Sequence, residues 1–403
     1  MFYVPMWFYL FKLLESVRFH LFKLINKCFF SFNGNFASIM NKSYNYIIVG
    51  QGIAGTVLAQ TLLKEGKSVL IIDEGLEHAA SSIAAGLYNP VVFKRLVKSW
   101  MADELVPFMD SFYSDAEQLL NEQFYHKKQI VKLFADHAEK DFWIKKSSDE
   151  VGTYLGQPVD PDYLKKGVEN HFGAAEVKAA GNLDMAVFLK SFRAYFLKNE
   201  CLLQQKFKYG DLSISEQRVS YQNVDAEKII FCEGHQTTNN PYFNWLPFKL
   251  TKGELITIQL KDGYSIPLDK VINKGVFILP VGSNTYKVGA TYEWIDLTIH
   301  PTEKGKAELI DKLKKVIQIP FDIIDHQAGI RPTVLDRRPL IGLHPKYPAL
   351  GVFNGMGTKG VMLAPYFAKQ FGAFLAGRGN LPDEVNCLRF IKGQLFDKGD
   401  RTQ

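Results

Sequence analysis

Cysteine is scarce in this chain of 403 residues. Cys28, Cys201, Cys232 and Cys387 lie far apart and form no CxxC pair. That excludes a disulfide framework and a thiolate metal site, and it suits a reducing, cytoplasmic compartment. No metal site is expected. Excess charge is also small. The net +6 is unevenly spread, because residues 1–39 hold Lys12, Arg18, Lys23 and Lys27 against Glu15 alone. The remaining body is close to balance and offers no electrostatic footprint for nucleic acid. Low complexity is absent too: 31 glycines and 17 prolines are ordinary counts that mark turns. With 47% hydrophobic and 22% charged residues the chain is globular, and its length predicts two or three domains.

The first 39 residues stand apart, with 12 aromatics. Lys12, Glu15, Arg18, Lys23 and Lys27 interrupt them too often for a spanning helix, which needs about 20 predominantly apolar residues. The apolar part precedes the bases and no A-x-A site follows, so a signal peptide is not read either. Residues 1–43 are expected to be an extension outside the fold, Met40 beginning the usual polar lead into a first strand. An interfacial amphipathic anchor is the alternative, and it is the one route by which membrane contact is expected.

What is present begins at YNYIIVGQGIAGTVLAQTLLKEGKSVLIIDEG, residues 44–75. Tyr46–Val49 is a short apolar run of strand character, and Gly50, Gly52 and Gly55 then spell G-x-G-x-x-G. A helical repeat follows and closes at Gly66. Ser68–Ile72 is a second buried strand, ending in Asp73 and Glu74. Each part has a task in dinucleotide binding. Gly50 allows the tight turn, Gly52 lets backbone amides approach a pyrophosphate, and Gly55 lets helix and strand pack closely. Ile53 and Ala54 open the helix, whose free amides and dipole face the phosphates. Asp73, 18 residues past Gly55, stands where a carboxylate meets ribose hydroxyls and disfavours a 2′-phosphate. Glu74 is a second, weaker candidate for that contact.

The next segment separates FAD from NAD. His78–Val92 is a loop of small residues able to lie against a flat ring system, and Ser81 and Ser82 can hydrogen-bond phosphate or ribose, or cap a helix. Near the other end, Ala349–Asn354 reads as a strand. Gly355, Met356, Gly357, Thr358, Lys359 and Gly360 make a second glycine-rich turn, and Val361–Leu375 reads as an amphipathic helix. A second strand–turn–helix corner again offers backbone amides, suited to a flavin's ring end. Ile229–Gly234 is a third buried strand, ending in glycine at 234. The nucleotide-binding unit is therefore discontinuous.

Seven blocks together resemble the D-amino-acid oxidase family of FAD-dependent oxidoreductases: GQGIAG with Asp73, SSIAAGLYNP, IIFCEG, KGELI, FILPVGSNTYKVGATYE, GIRPTVLDRRPLIG and GMGTKGVMLAP. Within it, the likeness is to glycine oxidase and to the oxidase domain of the bifunctional wobble-uridine-modifying enzyme. The resemblance implies an α/β fold: a Rossmann-like FAD domain and a mixed-sheet α+β substrate domain. The expected division is 44–99, 180–240 and 326–380 for FAD, 100–179 and 241–325 for substrate, and 381–403 as a tail. It places Arg331 on the arginine that pairs with a substrate carboxylate, which a guanidinium grips bidentately. Phe277 replaces a tyrosine that contacts substrate, and Tyr292 is the candidate compensating hydroxyl. Ile83 stands where some relatives link flavin to histidine, so FAD is expected to be non-covalent. Lys252 and Lys359 are candidate cations beside the ring. The implied reaction is oxidation of a C–N bond of an amine or amino acid, by hydride transfer to flavin N5 with oxygen or quinone as final acceptor. No nucleic-acid partner is expected. A tRNA-modification flavoprotein and a membrane-attached, quinone-coupled dehydrogenase remain the alternatives.

Overall fold

In the computed structural model, residues 42–391 are described apart from 76–78, 165–166 and 267–268. The expectations for residues 1–41, His78 and residues 392–403 lie outside the described residues.

The fingerprint folds as read. Strand β1 (Ser43–Val49) leads through the glycine turn into helix α1 (Ile53–Lys64), and strand β2 (Val69–Ile72) returns beside β1 in parallel register. The apolar run of β1 is continuous because both of its faces are covered. Tyr46 and Ile48 pack on one side with α1 and its neighbouring helices, and Ile47 and Val49 on the other with Phe231 and Val352. Parallel neighbours extend this sheet: Leu202–Leu203 beyond β2, then Val224–Phe231 beyond β1, then Leu350–Asn354. Leu340–Leu343 closes that edge antiparallel. Strands separated by more than 100 residues thus share one sheet, a Rossmann-like core assembled from three parts of the chain.

A second, seven-stranded mixed sheet runs in the order Phe321–Arg331, Thr251–Leu260, Thr285–Gly289, Val276–Gly282, Val271–Lys274, Ile130–Leu133, Ala174–Val177. Its back is covered by helix Glu303–Lys314, with Ile256, Ile258, Ile278 and Val288 packed against Leu309 and Leu313. Its front faces the first sheet.

Two placements differ from expectation. Helix Ala102–Leu120, within the 100–179 segment expected in the substrate domain, packs instead in the helical layer of the first sheet. Its stripe of Leu105, Val106, Met109 and Tyr113 meets helix Gly360–Leu375, and the Tyr113 hydroxyl donates to the Val361 carbonyl at 2.9 Å. Residues 381–391, read as the start of a tail, are built in: Leu381, Val385 and Cys387 are buried, and Ile341 bridges Asn386. The reason is the same in both cases. An apolar stripe goes where a complementary face is bare, and sequence order does not say where that is.

Candidate active site

Between the two sheets lies one cleft of about 1270 Å³. Both glycine corners open on it. From the first come Gly50, Gly52, Ile53 and Ala54, with Asp73 and Glu74 from the end of β2; from the second come Met356, Gly357, Thr358 and Gly360. Gly234 lies between them. The buried Asn354 amide ties the corners together. Its Nδ2 donates to the Gly234 carbonyl at 2.8 Å and to the Thr237 hydroxyl at 2.7 Å, while its Oδ1 accepts from Gly355 N at 2.8 Å.

The first corner is glycine for steric reasons. Gly50 has φ +98°, where a side chain is strained, and a Cβ there would lie 2.6 Å from the Cys232 carbonyl oxygen. Gly55 does not line the cleft. A Cβ on it would overlap the Gly50 carbonyl oxygen, so its part is close packing of α1 on the turn. Gly50 and Gly52 line the cleft without a side chain, so the backbone there is bare to an approaching pyrophosphate, which fits one.

Of five other expected residues, Ser81 is in the cleft and four go elsewhere. The Ser81 hydroxyl lines the cleft and accepts from Ile53 N at 3.1 Å, so it meets one of the amides at the start of α1. The Ser82 hydroxyl turns back to donate to the Ala79 carbonyl at 2.7 Å. Gly355 packs against Val334 and Leu340 behind the turn. The ammonium of Lys359 donates to the Ser99 hydroxyl and does not line the cleft, and burial pulls its pKa down to about 8. Lys252 is fully buried on the back of the second sheet, where its Nζ meets Asp296 at 2.7 Å and the Thr298 hydroxyl at 3.2 Å. It belongs to an ionic cluster with Glu254, which accepts from Thr302 N at 2.9 Å and lies 2.8 Å from His326 Nε2. Neither lysine is placed beside a ring in the cleft.

Arg331 is the cation that enters it. The strand Phe321–Arg331 pairs with Thr251–Leu260 so that Gly329 stands opposite Gly253 and Arg331 opposite Thr251. The guanidinium lies over Gly253, and a Cβ there would overlap it. Its Nη1 donates to the Lys252 and Thr291 carbonyls, each at 3.3 Å, and its Cζ sits 4.6 Å above the Tyr292 ring. Among the described residues no carboxylate pairs with it. Burial lowers its pKa, countered by Tyr292, but a guanidinium stays charged. The wall beside it is apolar: Ile83, Leu255, Val276 and Phe277. The Arg331 Nη2 also donates to the Thr291 carbonyl at 3.3 Å, so this partly dehydrated cation beside an apolar wall meets backbone carbonyls and an aromatic face and no acid among the described residues.

Gly253→Ala should therefore displace Arg331 and raise KM for a carboxylated substrate about tenfold, the loss of one charged hydrogen bond, with the visible spectrum unchanged. Steady-state kinetics checks this, and an unaltered KM would count against Arg331 as the grip.

Residues 45–373 match the family model described as FAD dependent oxidoreductase (DAO). The chain belongs to this family. FAD is accordingly its cofactor, and it is an oxidoreductase. Among curated relatives, the tRNA 5-methylaminomethyl-2-thiouridine biosynthesis bifunctional protein MnmC of Leptospira interrogans is 23% identical over 417 residues, covering 87% of this chain and 60% of that protein. MnmC of Campylobacter jejuni subsp. doylei is 23% identical over 320 residues, covering 77% of this chain and 48% of that protein. The chain thus spans about half to 60% of the length of these relatives. Glycine oxidase from Geobacillus kaustophilus superposes with a TM-score of 0.70 at 20% identity, covering 84% of this chain and 96% of that one. L-proline dehydrogenase from P. horikoshii gives a TM-score of 0.71 at 14% identity, covering 87% and 99%. These likenesses show the fold. No helix among the described residues is long and apolar enough to cross a membrane.

Sequence reasoning missed one acid in the cleft. Glu233 follows the third strand, accepts from the Tyr209 hydroxyl at 2.5 Å and from Asn240 Nδ2 at 2.8 Å, and lines the cleft. Burial pushes its carboxyl up to about 7, against the pull of those two hydrogen bonds. Because the folded pKa is raised, its contribution to stability is complete at acid pH and is lost as pH rises through about 7. The melting temperature should fall from about pH 5 to about pH 8, and Glu233→Gln should flatten that slope. An unchanged slope would assign it to other groups.

Proposed function

We propose that this flavoprotein oxidises the C–N bond of an amino acid or a carboxylated amine. The observation that carries the reading is Arg331, a cation in the cleft with backbone carbonyls and an aromatic face around it and no acid paired to it among the described residues. FAD, when bound, supplies a two-electron acceptor that takes the hydride from the carbon next to nitrogen. The residues assigned to hold it are Gly50, Gly52, Ile53, Ala54 and Asp73 at its ADP end and Met356, Gly357, Thr358 and Gly360 at its ring end. Arg331 binds the substrate carboxylate through its free N–H groups and so fixes the molecule at one end. Leu255, Phe277 and Ile83 exclude water, which favours the neutral amine that must lose hydride. Phe277 offers no hydroxyl to the substrate. Tyr292 acts through its ring, as the platform beneath the guanidinium.

The test is an anaerobic screen in which amines and amino acids are mixed with the holoenzyme and flavin bleaching is followed. Carboxylated amines should bleach it, and equally fast bleaching by neutral amines would remove Arg331 from this role. Readmitting air or a quinone afterwards identifies the final acceptor.

A second reading, a flavoprotein of tRNA modification, is favoured by one feature of the rim besides the name of the relatives. Tyr292 and Trp294 stack with ring centroids 6.3 Å apart and are 55% and 56% exposed, a platform on which a base can lie. Binding of tRNA to the holoenzyme that Trp294→Ala weakens would support it, and no binding at low salt would end it.

A further inference from the structure

The acid at the end of β2 lines the cleft but is also held from within the protein. Asp73 Oδ2 accepts from Gln51 N at 2.8 Å, and its Oδ1 accepts from Gly75 N at 2.9 Å and from Arg193 Nη1 at 2.8 Å. The same Nη1 donates to Gln51 Oε1 at 2.7 Å, and Gln51 Nε2 donates to the Leu189 carbonyl at 3.2 Å. Gln51 is fully buried, and the Arg193 and Asp73 side chains are 15% and 12% exposed. Both members of the ion pair line the cleft. Helix Met185–Lys198, more than 100 residues beyond the fingerprint, is thus bolted to the glycine turn through the side chain of the variable residue in G-x-G.

We propose that Arg193 is a positioning residue for FAD: it fixes the Asp73 carboxylate and the Gly50–Gly52 turn together and offsets the negative charge that Asp73 would otherwise set beside the cofactor's pyrophosphate. The argument is electrostatic. An anionic ligand is to be held by backbone amides a few residues from an ionised carboxylate. Removing its guanidinium partner leaves an uncompensated negative charge in a mostly dehydrated site. The backbone cradle alone would then bind FAD against like-charge repulsion. The arrangement also explains why the intervening residue of the turn is a buried glutamine and not a small spacer. Its amide reads the helix through Leu189 and its carbonyl orients the guanidinium fork.

FAD released from the holoenzyme on dilution, followed by the rise in flavin fluorescence, tests this without reference to turnover. Arg193→Met should weaken FAD retention about 10- to 100-fold at low ionic strength, the range of one charged hydrogen bond. Added salt should recover a small part of that loss, because a partly buried repulsion is screened weakly, relative to the unmodified chain in the same salt. Arg193→Lys should fall between the two, since it restores the charge without the fork. Gln51→Leu should lose less, because the ion pair survives without its alignment. Retention equal to the parent in Arg193→Met overturns the proposal. So does a loss that salt leaves untouched and lysine does not rescue, since that marks packing alone. Should Arg193→Met fail to fold, Arg193→Lys and Gln51→Leu decide: parental retention in both rejects the role. A parent chain that holds no FAD at all would be a failure of the cofactor assignment, and so is distinct.

Discussion

Arg331→Met is expected to raise KM for a carboxylated amine about 10- to 100-fold, the worth of a charge-assisted grip in a partly dehydrated site. Methionine keeps the packing over Gly253 and the Tyr292 ring, so the fold and the flavin spectrum should persist. The damage should fall on KM and kcat/KM together. If the carboxylate is also what aligns the C–H bond, kcat falls as well, because binding energy at the remote end is what fixes the reacting end. Stopped-flow flavin reduction at increasing substrate separates the two: a shifted half-saturation with an unchanged plateau is a loss of grip, and a lowered plateau is a loss of alignment. A neutral amine of similar shape should react equally well with parent and variant. If the carboxylated substrate loses nothing, the free guanidinium serves another purpose.

Gly55→Ala is expected to abolish flavin retention altogether. The added Cβ overlaps the carbonyl oxygen of Gly50 and comes within 3.3 Å of the Cys232 side chain. One contact is to backbone, which cannot swing aside, so either α1 or the turn must move. The turn carries the amide of Gln51, which holds Asp73, and Ile53 N, which meets Ser81. A shift of even part of an ångström spoils several hydrogen bonds at once. The purified variant should lack the visible flavin band, and a melting curve taken without FAD should change less than the one taken with it. A yellow Gly55→Ala protein that retains FAD like its parent would mean that close helix–strand packing is not what shapes the cradle.

Much of this architecture was legible in the residues. G-x-G-x-x-G between a β-branched run and a helical repeat leaves few alternatives, because the spacing of glycines is dictated by a turn, a close approach and a packing contact in fixed order. The second glycine corner was legible for the same reason, and both corners open on one cleft. The residues that went astray were those whose direction depends on a strand's neighbours. Lys252, Gly253 and Glu254 are consecutive, and alternation sends the lysine and the glutamate to the back of the sheet while glycine faces the cleft. No local signal distinguishes that register from the one shifted by a residue. It is set by the pairing of Gly253 with Gly329 across two strands far apart in sequence. Arg193 belongs to no motif, and Glu233, though inside IIFCEG, carried no signal of its own beyond the strand that the block marks.

The sequence by itself determined the local conformations: where glycine must stand, where a helix begins, and where a carboxylate ends the second strand. Those follow from backbone sterics and short-range hydrogen bonding. The tertiary structure alone decided which charges meet. Arg193 reaches Asp73 from 120 positions away, Lys252 finds Asp296 behind the sheet, and Arg331 is left facing the cleft without an acid partner among the described residues. The physical reason is that a charge takes its role from its partners and its exposure to water, and both are fixed only when distant strands and helices come together.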